Sequence, residues 1–199
     1  MKQKGVGKFF LDEVGINKPK VFLEVGVFHG VTARNVCELL SKFHGEDFKY
    51  VGIDLFDENS ENKDEVIPNT KFSNPFKNIY FNYIKKQNPY SLEAVEDLLK
   101  KFKKNITLIK GNSNNILKKI DMSKINYVFI DGGHEYQTVK NDLNFCKEVI
   151  INNGTVLCDD YDLSYAPGVK KAIDEFIIKN NFNLKILNRR FAEITKKVN

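Results

Sequence analysis

Phe22-Leu23-Glu24-Val25-Gly26-Val27-Phe28-His29-Gly30 is the stretch on which the reading of the fold turns. It opens as a short apolar run suited to a buried strand and continues as a loop bracketed by two glycines. Helical spacing then begins at once, with Ala33, Val36, Cys37 and Leu40. A strand passing through such a loop into a helix lets the backbone approach a ligand closely, because glycine carries no Cβ to hold it off. Thr32 is the expected cap of that helix.

The pattern repeats outward. Val21 to Val25, Tyr50 to Asp54, Ile106 to Lys110, Tyr127 to Ile130 and Thr155 to Cys158 are short runs rich in β-branched and aromatic residues, as buried parallel strands are. Helical stripes separate them. Val139, Leu143, Cys146 and Ile150 share one face after Glu135, and Val169, Ile173, Phe176 and Ile177 share another in Pro167 to Asn180. Leu184 to Leu187 and Phe191 to Thr195, joined by the polar Asn188-Arg189-Arg190, read as an antiparallel pair closing the sheet. The expected fold is α/β and Rossmann-like: a mostly parallel seven-stranded sheet with an antiparallel last strand and helices on both faces.

One segment is too long for a simple crossover. Between strands two and three the chain carries an acidic, polar stretch, Asp57 to Asp64. A second piece, Pro75 to Lys86, has Phe76, Ile79, Tyr80, Tyr83 and Ile84 at helical spacing. An insert leaving the carboxyl end of a strand hangs over the crevice where open α/β sheets bind ligands. The expectation is a single domain over residues 1–199 with a lid or insert at 57–90. Core packing or a contact between copies in a homo-oligomer is the alternative use of its aromatic stripe.

Composition narrows the class. The chain has 199 residues, a net charge of +5, 42% hydrophobic and 29% charged side chains, which excludes disorder, collagen and disulfide scaffolds. Its lysines are dispersed rather than striped, so nucleic acid is disfavoured as a partner. Cys37, Cys146 and Cys158 lack C-x-x-C spacing and read as buried hydrophobes. No apolar run reaches the roughly 20 residues of a membrane helix, and the basic N-terminus has no signal-peptide core. The expectation is a cytoplasmic protein with no membrane partner and a small-molecule acceptor.

The chemistry concentrates at the strand ends. Phe28 occupies the second glycine position of a dinucleotide fingerprint, leaving little room for a pyrophosphate, whereas Asp54 at the end of strand two suits the hydroxyls of a ribose. Together they describe a nucleoside site without a diphosphate. Through FLEVGVFHG, YVGIDLF, LIKGNS and INYVFIDGGHEY, the sequence resembles the class I S-adenosylmethionine-dependent methyltransferases over most of Lys20 to Tyr161. The resemblance implies that Glu24, Gly26 and Gly30 hold the methionine end of the cofactor, that Asp54 binds ribose, and that Ser113 contacts the adenine side. Asp131 borders the same cofactor site.

Asp131 ends strand four, and Asp159 and Asp160 end strand five. Neighbouring strands lie about 4.8 Å apart, so these carboxylates converge, and their mutual repulsion calls for a cation. All-oxygen ligands suit Mg²⁺, with Mn²⁺ or Ca²⁺ as alternatives. His134, three residues after Asp131 beyond Gly132-Gly133, has the chemistry of a general base. The arrangement is similar to that of the metal-dependent O-methyltransferases of the macrocin and mycinamicin sugar type, and more distantly catechol O-methyltransferase. That likeness implies Asp131, Asp159 and Asp160 as metal ligands, catalytic roles for His134 and Asp131, and a sugar-like or catechol-like vicinal diol as acceptor. Tyr80, Tyr83 and Tyr161 are candidates to line the acceptor pocket. Two alternatives stay open: a metal-independent methyltransferase acting on RNA, protein or an amine, and a non-catalytic nucleoside-binding partner.

Overall fold

The computed structural model describes residues 5–56, 74, 76, 80–85 and 87–197. Seven strands form one sheet in the order β3-β2-β1-β4-β5-β7-β6. They are β1 (Val21–Val25), β2 (Lys49–Asp54), β3 (Ile106–Lys110), β4 (Tyr127–Ile130), β5 (Thr155–Cys158), β6 (Asn183–Leu187) and β7 (Phe191–Thr195). The first five pair in parallel, while β7 slots between β5 and β6 and pairs antiparallel with both. The strand order reverses at β1, with β2 on one side and β4 on the other, which is the switch point where such sheets open a crevice at their carboxyl ends.

Alternation along each strand builds two cores, one on each face. Phe22, Tyr127, Phe129 and Leu157 point to an aromatic-rich side, where they meet α1 (Val6–Asn17) and α2 (Val31–His44) through Phe10, Val14, Val36, Cys37 and Leu40. Leu23, Val128, Ile130, Val156 and Cys158 point the other way. They pack on α5 (Tyr136–Ile151) and α6 (Pro167–Asn180) through Val139, Leu143, Cys146, Val169 and Ile173. All three cysteines are free and buried, as their apolar surroundings imply.

Helix α1 has no counterpart among the expected elements, although Val6, Phe10 and Val14 recur every fourth residue and are all buried. Helix α2 starts two residues earlier than a Thr32 cap requires. Gly30 takes the cap position at φ 71°, a left-handed conformation that glycine adopts freely, and no side chain caps the helix.

The acidic stretch 57–64 and residues 75, 77–79 and 86 of the expected helix 75–86 lie outside the described residues. Within the insert, Tyr80–Lys85 forms a π-helix, and Phe76, Tyr80, Tyr83 and Ile84 are exposed. The chain then enters α3 (Leu92–Leu98), capped by Ser91, whose hydroxyl accepts from Ala94 N at 3.2 Å. Helix α3 returns to the sheet beside the first loop: a Cβ on Gly30 would fall 2.8 Å from Val95. A short helix α4 (Ser113–Ile116) follows β3. Among the described residues no helix is long and apolar enough to cross a membrane.

Candidate active site

Register brings the chemical residues to one rim. Ile130 pairs with Cys158, so Asp131 and Asp159 leave neighbouring strands at the same level. Backbone bonds continue the ladder past the strand ends: Asp131 N donates to Val25 O at 2.8 Å, and Asp159 N donates to Ile130 O at 2.9 Å. Gly26, at φ 96°, packs so closely on this rim that a Cβ there would lie 2.3 Å from the Asp131 carbonyl oxygen. The absent side chain makes room for the β4 loop, so this glycine ties the two loops together.

Asp131, Asp159 and Asp160 each present an oxygen within 4.8 Å of the others. Burial, together with the charges of Asp159 and Asp160, pushes the Asp131 carboxyl well above the ordinary carboxylate range. Asp159 is held differently. Both its oxygens accept from the Arg190 guanidinium, Oδ2 from Nη2 at 2.7 Å and Oδ1 from Nε, and Oδ1 also accepts from Asp160 N at 2.7 Å.

Asp160 sits at φ 59°, a left-handed conformation unusual for a non-glycine residue. Three neighbours hold it there. Tyr165 donates to Oδ1 at 2.8 Å, Arg190 Nη2 lies 2.7 Å from the same oxygen, and His134 Nε2 lies 2.9 Å from Oδ2. Burial opposes ionisation of Asp160, but these hydrogen bonds and the Arg190 charge outweigh it and hold the carboxyl below its usual range.

The other end of the crevice belongs to β1 and β2. Asp54 accepts from Phe28 N at 2.8 Å, from Phe56 N at 3.1 Å and from the Tyr90 hydroxyl at 2.6 Å. Tyr90 is buried between the rings of Phe28 and Phe56, with centroids 5.6 and 6.5 Å away. Glu24 is fully buried on β1, where Tyr50 from β2 donates to Oε2 while Oε1 meets no partner among the described residues. Burial raises its carboxyl to about 8, against the lowering effect of the Tyr50 bond. Ser113 is half-buried at the first turn of α4, which Asn112 caps by accepting from Asn114 N at 2.9 Å.

The structure thus gathers Asp131, His134, Asp159 and Asp160 into one cluster, and sets Glu24, Gly26, Gly30 and Asp54 along the neighbouring β1 and β2 ends. Tyr161 lines a cavity together with Asp162, Pro167, Lys170 and Asp174. It is 7% exposed, its hydroxyl donates to Asp174 at 2.7 Å, and Lys170 covers its ring. Tyr165 is 62% exposed, with its ring edge-on to His134 at 5.8 Å. Sequence reasoning missed Arg190, Tyr90, Tyr50 and Tyr165. Tyr50 opens the YVGIDLF stretch and Arg190 ends the Asn188-Arg189-Arg190 turn, yet neither residue type at its place signals a part in the site.

The family profile described as a methyltransferase domain matches residues 23–161, and the chain belongs to that family of S-adenosylmethionine-dependent methyltransferases. Among solved structures it is similar to the O-methyltransferase NovP, at 17% identity and TM-score 0.65 over 98% of this chain and 79% of that one. It is similar also to the methyltransferase PaMTH1 of Podospora anserina bound to S-adenosylhomocysteine, at 18% identity and TM-score 0.63 over 100% and 80%. The TDP-rhamnose 3'-O-methyltransferase CalS11 matches at 17% identity and TM-score 0.63 over 94% and 76%. At such identities these matches establish the class I methyltransferase fold. An uncharacterised protein R132 of Acanthamoeba polyphaga mimivirus is 37% identical over 54 residues, which span 27% of this chain and 24% of the viral protein.

Proposed function

We propose that this chain transfers the methyl group of S-adenosylmethionine to a hydroxyl of a small acceptor, a sugar-like or catechol-like vicinal diol, with a divalent cation held by Asp131, Asp159 and Asp160. The observation that carries this reading is the convergence of the three carboxylates beside His134 at the rim of the switch point. Two similar structures, NovP and CalS11, are named as O-methyltransferases, which supports a hydroxyl acceptor.

The donor set fits a hard cation in both atom type and charge. Three carboxylates face one guanidinium, and Asp131 is the member that the guanidinium does not engage. When bound, such a cation supplies Lewis acidity that lowers the pKa of a substrate hydroxyl.

The chain's own residues do the rest. The Glu24 to Gly30 loop receives the methionine end of the cofactor, Asp54 the ribose and Ser113 the adenine side. An ionised Asp160 only accepts, so the proton of the neutral His134 ring sits on Nε2, and Nδ1 is the atom that takes the acceptor's proton. The bound cofactor would supply a sulfonium methyl as electrophile: the acceptor oxygen would form the new C–O bond as the S–CH₃ bond breaks, S-adenosylhomocysteine leaving and the hydroxyl proton passing to His134. The exposed ring of Tyr165 offers a face for a sugar or phenolic ring.

Arg190 favours a second reading, metal-independent transfer, because its guanidinium already compensates much of the charge on Asp159 and Asp160. Calorimetric titration with S-adenosylhomocysteine, with Mg²⁺ and then with a chelator, separates the two. A distinct Mg²⁺ isotherm lost in Asp159→Ala supports the metal reading. Cofactor binding with no Mg²⁺ isotherm supports the second, and no cofactor binding at all ends both.

A further inference from the structure

Arg190 comes from beyond the segment that matches the methyltransferase-domain family, at the turn between β6 and β7. Two successive left-handed residues, Asn188 at φ 49° and Arg189 at φ 53°, shape that turn. Its backbone is fastened at both ends: Arg190 N donates to Leu187 O at 3.1 Å, and Arg190 O accepts from Tyr161 N at 2.8 Å. The second bond is made by the residue directly after Asp160. The terminal hairpin is therefore joined to the carboxylate rim through main chain before any side chain is considered.

The side chain, 11% exposed, makes the larger connection. Nε and Nη2 span both oxygens of Asp159, and Nη2 also meets Asp160 Oδ1, whose partner oxygen contacts His134 Nε2. A guanidinium is a planar fork that fixes the orientation of a carboxylate, whereas an ammonium is a point charge that does not. A carboxylate offers about four lone-pair sites, so the fork orients Asp159 and Asp160 without using up their capacity as acceptors.

We propose that Arg190 is a positioning residue: its fork sets the side chains of Asp159 and Asp160 so that their remaining acceptor sites face one cation, and through Asp160 it sets the ring of His134. The cation half of this inference rests on the metal-assisted reading above; the histidine half does not. A plain ion pair would need only a positive charge at this place, and Arg190→Lys keeps that charge while removing the fork.

The experiment uses the full chain and the variants Arg190→Lys and Arg190→Gln, with Asp159→Asn to loosen the fork from its other end. The protein has three histidines, His29, His44 and His134, so the metal-free imidazole proton–nitrogen spectrum is assignable with His134→Gln. The expected result is that Arg190→Lys and Asp159→Asn both move the His134 ring resonances and leave those of His29 and His44 in place. Affinity of the Arg190 variants for S-adenosylhomocysteine stays within about twofold, and Mn²⁺ affinity of Arg190→Lys falls by about tenfold or more, as for loss of other residues supporting metal ligands. Unmoved His134 resonances in whichever of these variants folds overturn the proposal. Mn²⁺ affinity that is unchanged or tighter in Arg190→Lys overturns its cation half. If the wild-type chain takes up no Mn²⁺, the metal reading fails by itself, and the His134 spectrum alone decides the role of Arg190.

Discussion

Tyr90 donates its hydroxyl to Asp54 Oδ1 across 2.6 Å and so joins the end of the insert to the end of β2. The bond closes a small aromatic box in which Phe28, Phe56 and Tyr90 surround one carboxylate, and two of these residues also direct backbone amides at it. Whatever binds over Asp54 must approach a carboxylate whose orientation is already set from three directions.

That orientation yields the first prediction. If Asp54 holds the ribose, Asp54→Ala weakens S-adenosylhomocysteine binding by about 100-fold, two hydrogen bonds to a charged group being worth about 1.5 kcal/mol each at the low end. Tyr90→Phe removes one orienting bond and leaves the carboxylate, so its loss is under about tenfold. Calorimetry on both variants checks the ranking. Unchanged affinity in Asp54→Ala ends the ribose assignment.

Asp159 and Arg190 predict a stability effect independent of any ligand. Asp159→Ala leaves a guanidinium that is only 11% exposed without its bidentate partner, a change that costs about 3 to 5 kcal/mol in comparable buried pairs. Removing both partners, Asp159→Ala with Arg190→Ala, costs less than the sum of the two single changes. Urea unfolding of the three variants tests this, and strict additivity argues that the pair is not coupled.

How far the sequence reaches is visible in these same residues. The sheet was legible because its central strands are short, continuously apolar runs of the kind buried on both faces, separated by helical stripes, and adjacency of strands four and five is enough to bring Asp131 and Asp159 together. Arg190 and Tyr90 were not legible because they act over separations of 31 and 36 residues, where no spacing rule connects a side chain to its partner. Gly30 illustrates a different limit. It was read as an opening for a ligand, and in the fold its bare face lies against Val95 of α3 while its left-handed backbone starts α2, displacing Thr32 as the cap. Helix α1 was hidden because its buried face is narrow, three residues at a spacing of four.

For His134 the expectation is catalytic. His134→Ala removes the proton acceptor and lowers turnover by about 10² to 10⁴-fold, the range for a positioned general base. Affinity for S-adenosylhomocysteine stays unchanged, since the ring contacts Asp160 and Tyr165 on the β5 side of the rim. Methyl transfer to a vicinal diol, followed by release of S-adenosylhomocysteine, measures the first quantity and calorimetry the second. Wild-type turnover in the variant removes the base role.

Glu24 gives stability a pH dependence whose sign is fixed by its burial. Its carboxyl titrates near 4.5 when exposed and is raised to about 8 in the fold, chiefly by burial. Between those values the unfolded chain has lost the proton that the folded chain keeps, so the unfolded state binds fewer protons and this group's contribution to stability falls as pH rises from about 4.5 to 8. Glu24→Gln stays neutral throughout and keeps an oxygen for the Tyr50 hydroxyl. The variant therefore gains on the wild type across this window, by on the order of a few kcal/mol at its upper end. Urea midpoints at pH 5 and pH 8 measure the gap, and an equal gap at both values means that Glu24 is ionised in the fold. If the cationic amino group of the cofactor then settles beside Oε1, it favours the carboxylate, and binding near pH 7 releases a proton. Calorimetry in buffers of differing ionisation enthalpy reads that release directly, and its loss in Glu24→Gln assigns it to this side chain.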